Sequence, residues 1–403
     1  MPRDDLLADD HQARVVWRFV EGLDLTNLYA RIRAVAGHPG RSPADPRILT
    51  ALWLHATLEG VGRARALDYL CTHHHAFRWR CGGVSVNYHS LSDFRVQHLE
   101  FLDDLLTHSV AVWREQDLVD LNRVAQDGRR VRASAGAASF RRRPTLEECQ
   151  AEAHEQGQRL RAELEDDPGA GQRRQQKAPE RAAREREERL RQALERLPEL
   201  EAKKKADEKT KARCSSTDPE ATVLKMADGG FRPAYNFQFA TATARQVIVG
   251  VEVTTSGSDQ GQLAPMVEQV HERVGQRPQE ALGDGGFASH ADIEAVSAPD
   301  QGCGVYAPVP EPKDPTRDRY TPVEGDSPAV AAWRVRMGTA PAQAISKDRA
   351  ASAECVTALA RNRGLRQLTV RGRLKAKAIA LWYAIAHNLR RAVSLRAALV
   401  VPG

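Results

Sequence analysis

The 403-residue sequence lacks the paired cysteines and the long apolar runs that mark several classes of protein. Its six cysteines lie far apart with no Cys-x-x-Cys pair, so neither a zinc ribbon nor a disulfide framework is readable. No stretch approaches the roughly 18 apolar residues of a membrane span, and the opening segment MPRDDLLADDHQAR has no apolar core. These absences predict a cytoplasmic protein that is neither exported nor inserted into a membrane.

Net charge is also small, because 59 Lys and Arg against 53 Asp and Glu leave +6. This excess points only weakly to a polyanionic partner such as nucleic acid, since ordinary soluble enzymes can be as basic. At roughly 150 residues per domain, the chain is long enough for two or three domains. A peptide and a single small module are excluded.

Apolar residues recur at three- and four-residue intervals from residue 10 to about residue 118, which predicts a series of helices. Gly-Pro and Ser-Pro near Pro39 and Pro43 are expected to end one helix, and Ser42 or Asp45 could cap the next. We therefore predict an all-helical domain over residues 1–118, of a size suited to a helix-turn-helix arrangement.

Residues 145–213 differ sharply, with 17 basic residues, 17 acidic residues and no aromatic residue. The segment EREERLRQALERL places opposite charges three and four residues apart, which is typical of a solvated helix with ion pairs. A Pro-Gly pair at Pro168 and Gly169 interrupts the segment. We predict a protruding helical insertion, with disorder or an oligomerising coiled coil as the alternatives.

The second half of the chain changes to the pattern of β-strands. YNFQFATAT, RQVIVGVEVTTS and, before the insertion, LVDLNRVAQDGRRVRAS each predict a strand. PQEALGDGGF predicts a short strand that runs into a Gly-Gly turn. APMVEQVHERVG predicts an amphipathic helix. A helix with Asp348 as its N-cap is expected to end before Gly364, and a more apolar helix follows. The order predicts an α/β fold, a mixed sheet with flanking helices, interrupted after its first strand.

Three acidic residues stand out by their context. Asp127 is expected at the exposed end of the first strand, Asp284 before the Gly-Gly turn, and Glu354 in an Ala-rich helix. Such acids can meet at one rim of a sheet, and their oxygens suit Mg²⁺. On context alone, solvated or capping roles are the simpler interpretation. Turn roles are likewise expected for Asp228 and Asp259. Asp292 and Glu294 could compete with Asp284 as ligands, although IEAV is typical of a surface helix.

A series of motifs occurs in order along the chain: VAQDGRRVRASAG, TDPEATVLKMADGGFRPAYNFQFATAT, SGSDQGQLAPMVEQV, LGDGGF, RAASAEC, ARNRGL, VRGRLKAKA and LWYAIAHNL. Together they closely resemble bacterial insertion-sequence transposases of the DDE type. HAFRWRCGGVSVNYHSLSDFR is similar to the helical DNA-binding portion of that family. The resemblance runs from about residue 10 to residue 395 and implies a ribonuclease-H-like catalytic domain.

The resemblance implies that Asp127, Asp284 and Glu354 are the three catalytic acids. They would bind two Mg²⁺ ions, for which Mn²⁺ can substitute, and direct first water and then a freed 3′ hydroxyl at DNA phosphates. The implied partners are the element's terminal inverted repeats and target DNA, bound by a homo-oligomer in the bacterial nucleoid. The expected domains are residues 1–118 for DNA binding, 119–144 and 214–403 for catalysis, and 145–213 as the insertion.

The family's signature around its glutamate is commonly Tyr, Arg, Glu and Lys. Arg349 and Glu354 match it, but Ser346 stands near the tyrosine's place and Arg361 stands where the lysine would fall. The gap from the arginine to the glutamate is also longer than the family's usual one. A catalytically inactive DNA-binding relative is therefore an alternative function, and a helical scaffold built around residues 145–213 is a third.

Basic residues near the acids are the expected DNA contacts. Three arginines follow Asp127 closely, and the stretch from Arg361 to Lys377 contains no acid. A solvated basic surface is the alternative interpretation for both groups. The expected DNA-binding residues are Arg129, Arg130, Arg132, Arg349, Arg361, Arg363, Arg371 and Lys375.

Overall fold

A computed structural model describes residues 7–32, 44–166, 173–298 and 302–400. Its N-terminal part is helical, as the apolar periodicity predicted. Asp45 caps one helix by accepting a hydrogen bond from the Arg47 amide at 2.7 Å, while Pro39, Ser42 and Pro43 lie outside the described residues. The helices described here are α1 (Gln12–Glu21), α2 (Thr26–Ala30), α3 (Pro46–Leu58), α4 (Ala64–His73), α5 (His75–Cys81), α6 (Tyr88–Gln97) and α7 (Leu99–Glu115).

A mixed sheet follows, in agreement with the predicted fold class. Its central strand β1 is parallel to β7, which in turn is parallel to β8. On its other side β1 pairs with the antiparallel β5, whose far edge pairs with both β4 and β6. These strands are β1 (Arg123–Arg132), β4 (Thr222–Lys225), β5 (Phe231–Ala242), β6 (Val247–Thr254), β7 (Glu280–Leu282) and β8 (Gly304–Tyr306), and the short β2 (Phe140–Arg141) pairs with β3 (Cys214–Ser215).

The charged insertion is a pair of long helices, α8 (Arg143–Asp166) and α9 (Arg173–Ala202), packed against each other. They bury a small apolar cluster of their own that includes Leu146, Leu190 and Leu197. The pairing of β2 with β3 closes the base of this helical hairpin. The segment is thus helical, as predicted, and its Pro168–Gly169 interruption lies outside the described residues.

Six further helices occupy the second half: α10 (Leu263–Val274), α11 (His290–Val296), α12 (Pro328–Met337), α13 (Ala340–Arg349), α14 (Cys355–Asn362) and α15 (Arg373–Val400), as far as the described ranges go. The prediction that a helix begins at Asp348 is wrong. The helix begins earlier because the Thr339 hydroxyl caps it, accepting a hydrogen bond from the Ala342 amide at 3.3 Å. Gly364 does follow the end of α14, with the positive φ of 88° that glycine adopts readily.

One apolar core runs from the N-terminal helices into the sheet. Helix α3 is buried on nearly every face, because it is apolar all round. Helix α15 packs against α3 and α7 on one side and against β6 on the other. The indole of Trp382 in α15 donates to the Arg95 carbonyl at 3.0 Å, which ties that helix to α6. Nothing among the described helices is long and apolar enough to span a bilayer, and all six cysteines are free.

Candidate active site

Two of the three predicted acids occupy equivalent positions along neighbouring chain segments, Asp127 within β1 and Asp284 just beyond the end of β7. The parallel pairing of β1 and β7 ends with Ala125 opposite Leu282, and each aspartate follows two residues later, as Asp127 and Asp284. Adjacent strands are about 4.8 Å apart, so the sheet brings the backbones of the two acids to the same level. The expectation that Asp127 ends its strand is wrong, because β1 continues to Arg132 along β5.

The carboxylate of Asp127 is held by a side chain of helix α14. The Thr357 hydroxyl of α14 donates to Asp127 Oδ2 at 2.7 Å. Burial raises the pKa of Asp127 above its usual range, and the charges of Asp284 and Glu354 raise it further. The Thr357 hydrogen bond and the Arg349 charge oppose this rise. The carboxylates of Asp284 and Glu354 therefore lie near enough to Asp127 to act on it electrostatically.

Asp284 is fixed by the turn that follows it. Its Oδ1 accepts a hydrogen bond from the Gly286 amide at 2.7 Å and caps the short 3₁₀ turn Gly285–Phe287. This geometry confirms the predicted short strand running into a Gly-Gly turn. The backbone amide holds the carboxylate beside the end of β7 without help from any other side chain in the described chain.

Glu354 ends a single π-helical turn, Ala350–Glu354, between α13 and α14. Its Oε1 accepts a hydrogen bond from Arg349 Nη2 at 2.5 Å, although the two residues are five apart. In a regular α-helix, side chains five residues apart point about 140° away from each other. The π turn brings them together, so the unusually long gap between arginine and glutamate still produces an ion pair.

Two side chains satisfy carbonyl groups around the π turn. The buried Ser352 hydroxyl donates to the Asp348 carbonyl at 2.7 Å. Gln246, in the turn between β5 and β6, donates through Nε2 to the Ala351 carbonyl at 2.7 Å. Because π turns are rare and occur frequently at functional sites, this supported turn next to Glu354 adds weight to the site.

The three acids have the donor chemistry for a hard divalent cation. In each of Asp127, Asp284 and Glu354, one oxygen accepts a hydrogen bond, and the other has no hydrogen-bond partner among the described residues. Carboxylate oxygens of this kind are the ligands that Mg²⁺ takes. However, nowhere in the described ranges are three or more His, Cys, Asp or Glu residues grouped closely enough to hold a metal ion. The three carboxylates therefore have oxygen atoms suited to Mg²⁺ but do not form a compact metal-binding group. The Glu354 carboxylate is instead paired with Arg349.

Arg129 lies on the same face of β1 as Asp127. Its guanidinium donates to the carbonyl groups of Thr357 and Leu365 at 3.5 and 3.4 Å. Burial lowers the pKa of Arg129, and the nearby positive charge of Arg361 lowers it further. A guanidinium with only neutral partners beside a carboxylate site is suited to contacting a phosphate.

The other predicted DNA contacts have different surroundings. Arg130, on the opposite face of β1, donates to the Gly257 carbonyl at 2.8 Å and lies 3.7 Å from an Asp259 oxygen. Arg132 and Arg363 line a cleft beyond the end of β1. The structure thus brings only part of this set to the acids. The exposed members are Arg132, Arg361, Arg371 and Lys375.

A buried polar network behind the site was not predicted. Asp259 lies in a loop, as expected, but it is only 8% exposed and accepts hydrogen bonds from Asn236 and Gln238 at 2.7 and 2.6 Å. Gly128 permits this network, because a Cβ there would collide with the Asp259 carboxylate. The alternation of β5 could have revealed it, since Asn236 and Gln238 are polar positions two apart within an apolar strand.

Asp292 does not compete with Asp284. Its carboxylate is buried and accepts hydrogen bonds from the backbone amides of Gly261 and Ala264, at 2.7 and 3.3 Å. It therefore holds the start of α10. Asp228 accepts from the Gly230 amide at 3.1 Å, which confirms its predicted turn role.

Comparison with known families finds a match in the N-terminal part of the chain. Residues 2–97 match the family model described as a transposase domain (DUF772). The matched range contains α1 to α6 and ends at Gln97, the last residue of α6. It does not include the three candidate acids. Neither the curated proteins nor the solved structures yield a match to the chain.

Proposed function

We propose that the chain is a DNA transposase of the DDE type, which cleaves strands at element ends and transfers them into target DNA. The observation that carries this proposal is that Asp127 lies in β1 and Asp284 just past the end of the parallel strand β7, each two residues beyond the last paired residues, with Glu354 close enough to raise the pKa of Asp127. The transposase-domain match over residues 2–97 supports the same function. The mixed sheet, with helices on both faces, suits a ribonuclease-H-like catalytic domain.

The free oxygens of Asp127, Asp284 and Glu354 would hold Mg²⁺ in this function. Two such ions supply activation of the attacking oxygen and stabilisation of the leaving oxygen during in-line phosphoryl displacement. Thr357 and the Gly286 amide each orient one aspartate, leaving its second oxygen available. Arg129 places a positive charge beside Asp127, where a DNA phosphate would approach.

The remaining parts of the chain have complementary roles in the proposal. Residues 1–118 would recognise the terminal inverted repeats, and a homo-oligomer would hold two element ends together. Residues 119–144 and 214–403 would form the catalytic domain, with residues 145–213 inserted into it.

The test is metal-dependent cleavage of DNA that carries the element ends. Asp127→Asn and Glu354→Gln should each lower the cleavage rate about 100- to 1,000-fold, the usual effect of losing one group that stabilises a transition state. Binding to the ends should persist in both variants. Glu294→Gln, which removes an exposed carboxylate from α11, is the matched control and should cleave normally. Undiminished cleavage by both test variants would reject the assignment.

A catalytically inactive DNA-binding relative is the second candidate. It is favoured by Ser346 and Arg361 in the signature and by the ion pair that turns Glu354 toward Arg349. The same assay separates the two functions, because only an active transposase nicks end-containing DNA in Mg²⁺. End binding by the natural sequence without any nicking would establish the inactive relative.

A further inference from the structure

A cleft of about 770 Å³ lies where the N-terminal helices meet the far end of β1. The turn between α3 and α4 forms one wall, and residues 363–369, which follow α14, form the other. These two walls touch through glycines with positive φ: a Cβ on Gly364 would lie 3.0 Å from the Gly60 carbonyl oxygen. The cleft is therefore a built junction between the two parts of the chain.

The charged side chains that line the cleft are all positive. No acidic residue is among its described lining residues. Among the described residues, the hydrogen-bond partners of its guanidinium groups are neutral: Arg95 donates to the Gly62 carbonyl, Arg132 to the Gln367 amide oxygen, and Arg366 to the Arg361 carbonyl. The ion pairs within the described ranges include none of the lining arginines, which are Arg63, Arg95, Arg132, Arg363 and Arg366.

Two donors in this cleft are buried without a partner. Arg95 is 8% exposed and lies over the Trp53 ring at 4.4 Å, yet its Nε has no hydrogen-bond partner. Arg363 Nη1 is also buried and unpartnered. Burial lowers the pKa of Arg95 to about 10 and lowers the pKa of Arg363 as well. The charge of Glu59, which lies outside the lining, partly offsets this lowering for Arg363. Gathering five guanidinium groups around a cleft with no acid in its lining still opposes folding, and an anion in the cleft would relieve that cost.

We propose that this cleft binds a phosphate group, supplied either by the DNA backbone or by a free phosphate compound. Guanidinium groups match phosphate oxygens in planar, two-pronged hydrogen bonds, and the orphaned donors are suited to such contacts. Arg132 lies five residues along β1 from Asp127, roughly 16 Å at the rise of a strand. DNA bound at the three candidate acids is long enough to reach the cleft as well. Only the choice of DNA as the source of the phosphate rests on the proposed function.

The salt dependence of DNA binding tests the backbone phosphate. We would measure anisotropy of a labelled 30-base-pair duplex in EDTA, so that no cleavage occurs, for Arg63→Gln, Arg366→Gln and the double variant. Each lost phosphate contact should lower the slope of log K against log salt by about 0.9 and weaken binding about 8-fold at 0.1 M salt. Arg63→Lys with Arg366→Lys should keep the slope, because lysine preserves the charge. Both arginines are exposed, so the variants should fold.

Arg65→Gln is the matched control, since this exposed arginine lies over the Tyr88 ring at 4.8 Å and outside the cleft. Its slope should not change. Pyrophosphate, added alone in calorimetry, tests the free ligand: binding that the double variant loses while its DNA slope is unchanged assigns the cleft to a free phosphate compound. An unchanged DNA slope together with unchanged pyrophosphate binding would overturn the proposal. Because no metal is present, this outcome is independent of whether Asp127 supports cleavage.

Discussion

Replacing Thr357 with valine probes the electrostatics of the three acids through stability rather than activity. The Thr357 hydroxyl is buried and donates to Asp127 Oδ2 at 2.7 Å. A hydrogen bond to a charged group contributes about 1.5–3 kcal/mol, and one between neutral groups about 0.5–1.5 kcal/mol. The variant should therefore lose about 1.5–3 kcal/mol of unfolding free energy at pH 8 and roughly half of that near pH 4.

The direction follows from the ionisation of Asp127. The hydrogen bond lowers the pKa of Asp127, so removing it raises that pKa further. The deficit in stability must then grow as the pH rises through the pKa, because the ionised carboxylate is the form that loses most. Urea unfolding followed by tryptophan fluorescence at both pH values measures this difference.

A matched control separates charge from packing. Thr50→Val makes the same change at a buried threonine of α3, whose hydroxyl donates to the Pro46 carbonyl at 2.8 Å and to no acid. Its loss of stability should not depend on pH, and Thr357→Ser should restore most of the lost stability. Equal, pH-independent losses in the two valine variants would refute the electrostatic role of Thr357.

Three further predictions concern other features. Because the Arg349 charge lowers the pKa of Asp127, Arg349→Gln should move the acid limb of metal-dependent cleavage to higher pH, and an unmoved limb would contradict this. Replacing residues 142–213 with an Asn-Gly turn between β2 and β3 should leave a folded protein of unchanged oligomeric order in light scattering, whereas loss of self-association would favour a scaffold. Burial lowers the pKa of His387 to about 4. The buried neutral imidazole therefore contributes about 3 kcal/mol to the free energy of unfolding above pH 6.5, and this contribution is lost as the pH falls toward 4. In urea titrations His387→Gln should weaken that acid sensitivity, and an equally steep loss would count against it.

Much of the fold could be predicted because single segments carry strong local patterns. The strand-like runs became β1, β5 and β6, and the alternating charges of the insertion became α8 and α9. Errors arose where the pattern continued past an assumed boundary. Asp348 resembles an N-cap, but the helix containing it begins eight residues earlier, at Ala340, and Asp127 lies within a strand that extends to Arg132.

The surroundings of the site could not be predicted in the same way. The buried Asp259 accepts hydrogen bonds from Asn236 and Gln238 of β5, which lie 23 and 21 residues earlier in the chain. The cleft requires Arg63 and Arg95 from the N-terminal helices to meet Arg363 and Arg366 from near the C terminus. Local periodicity marks Asn236 and Gln238 as unusual polar positions in their strand, but it does not say which loop or helix a residue will meet, because such meetings depend on how separate elements pack.

The π turn also has a consequence for how this chain tolerates insertions. One added residue in a regular helix rotates everything downstream by about 100°. Here the π turn Ala350–Glu354 confines that rotation to five residues. Thr357 therefore still faces β1, and the buried side of α14 stays against the sheet. A lengthened spacing between two neighbouring side chains can thus be absorbed locally, and alignments that require a fixed interval would overlook a glutamate placed like this one.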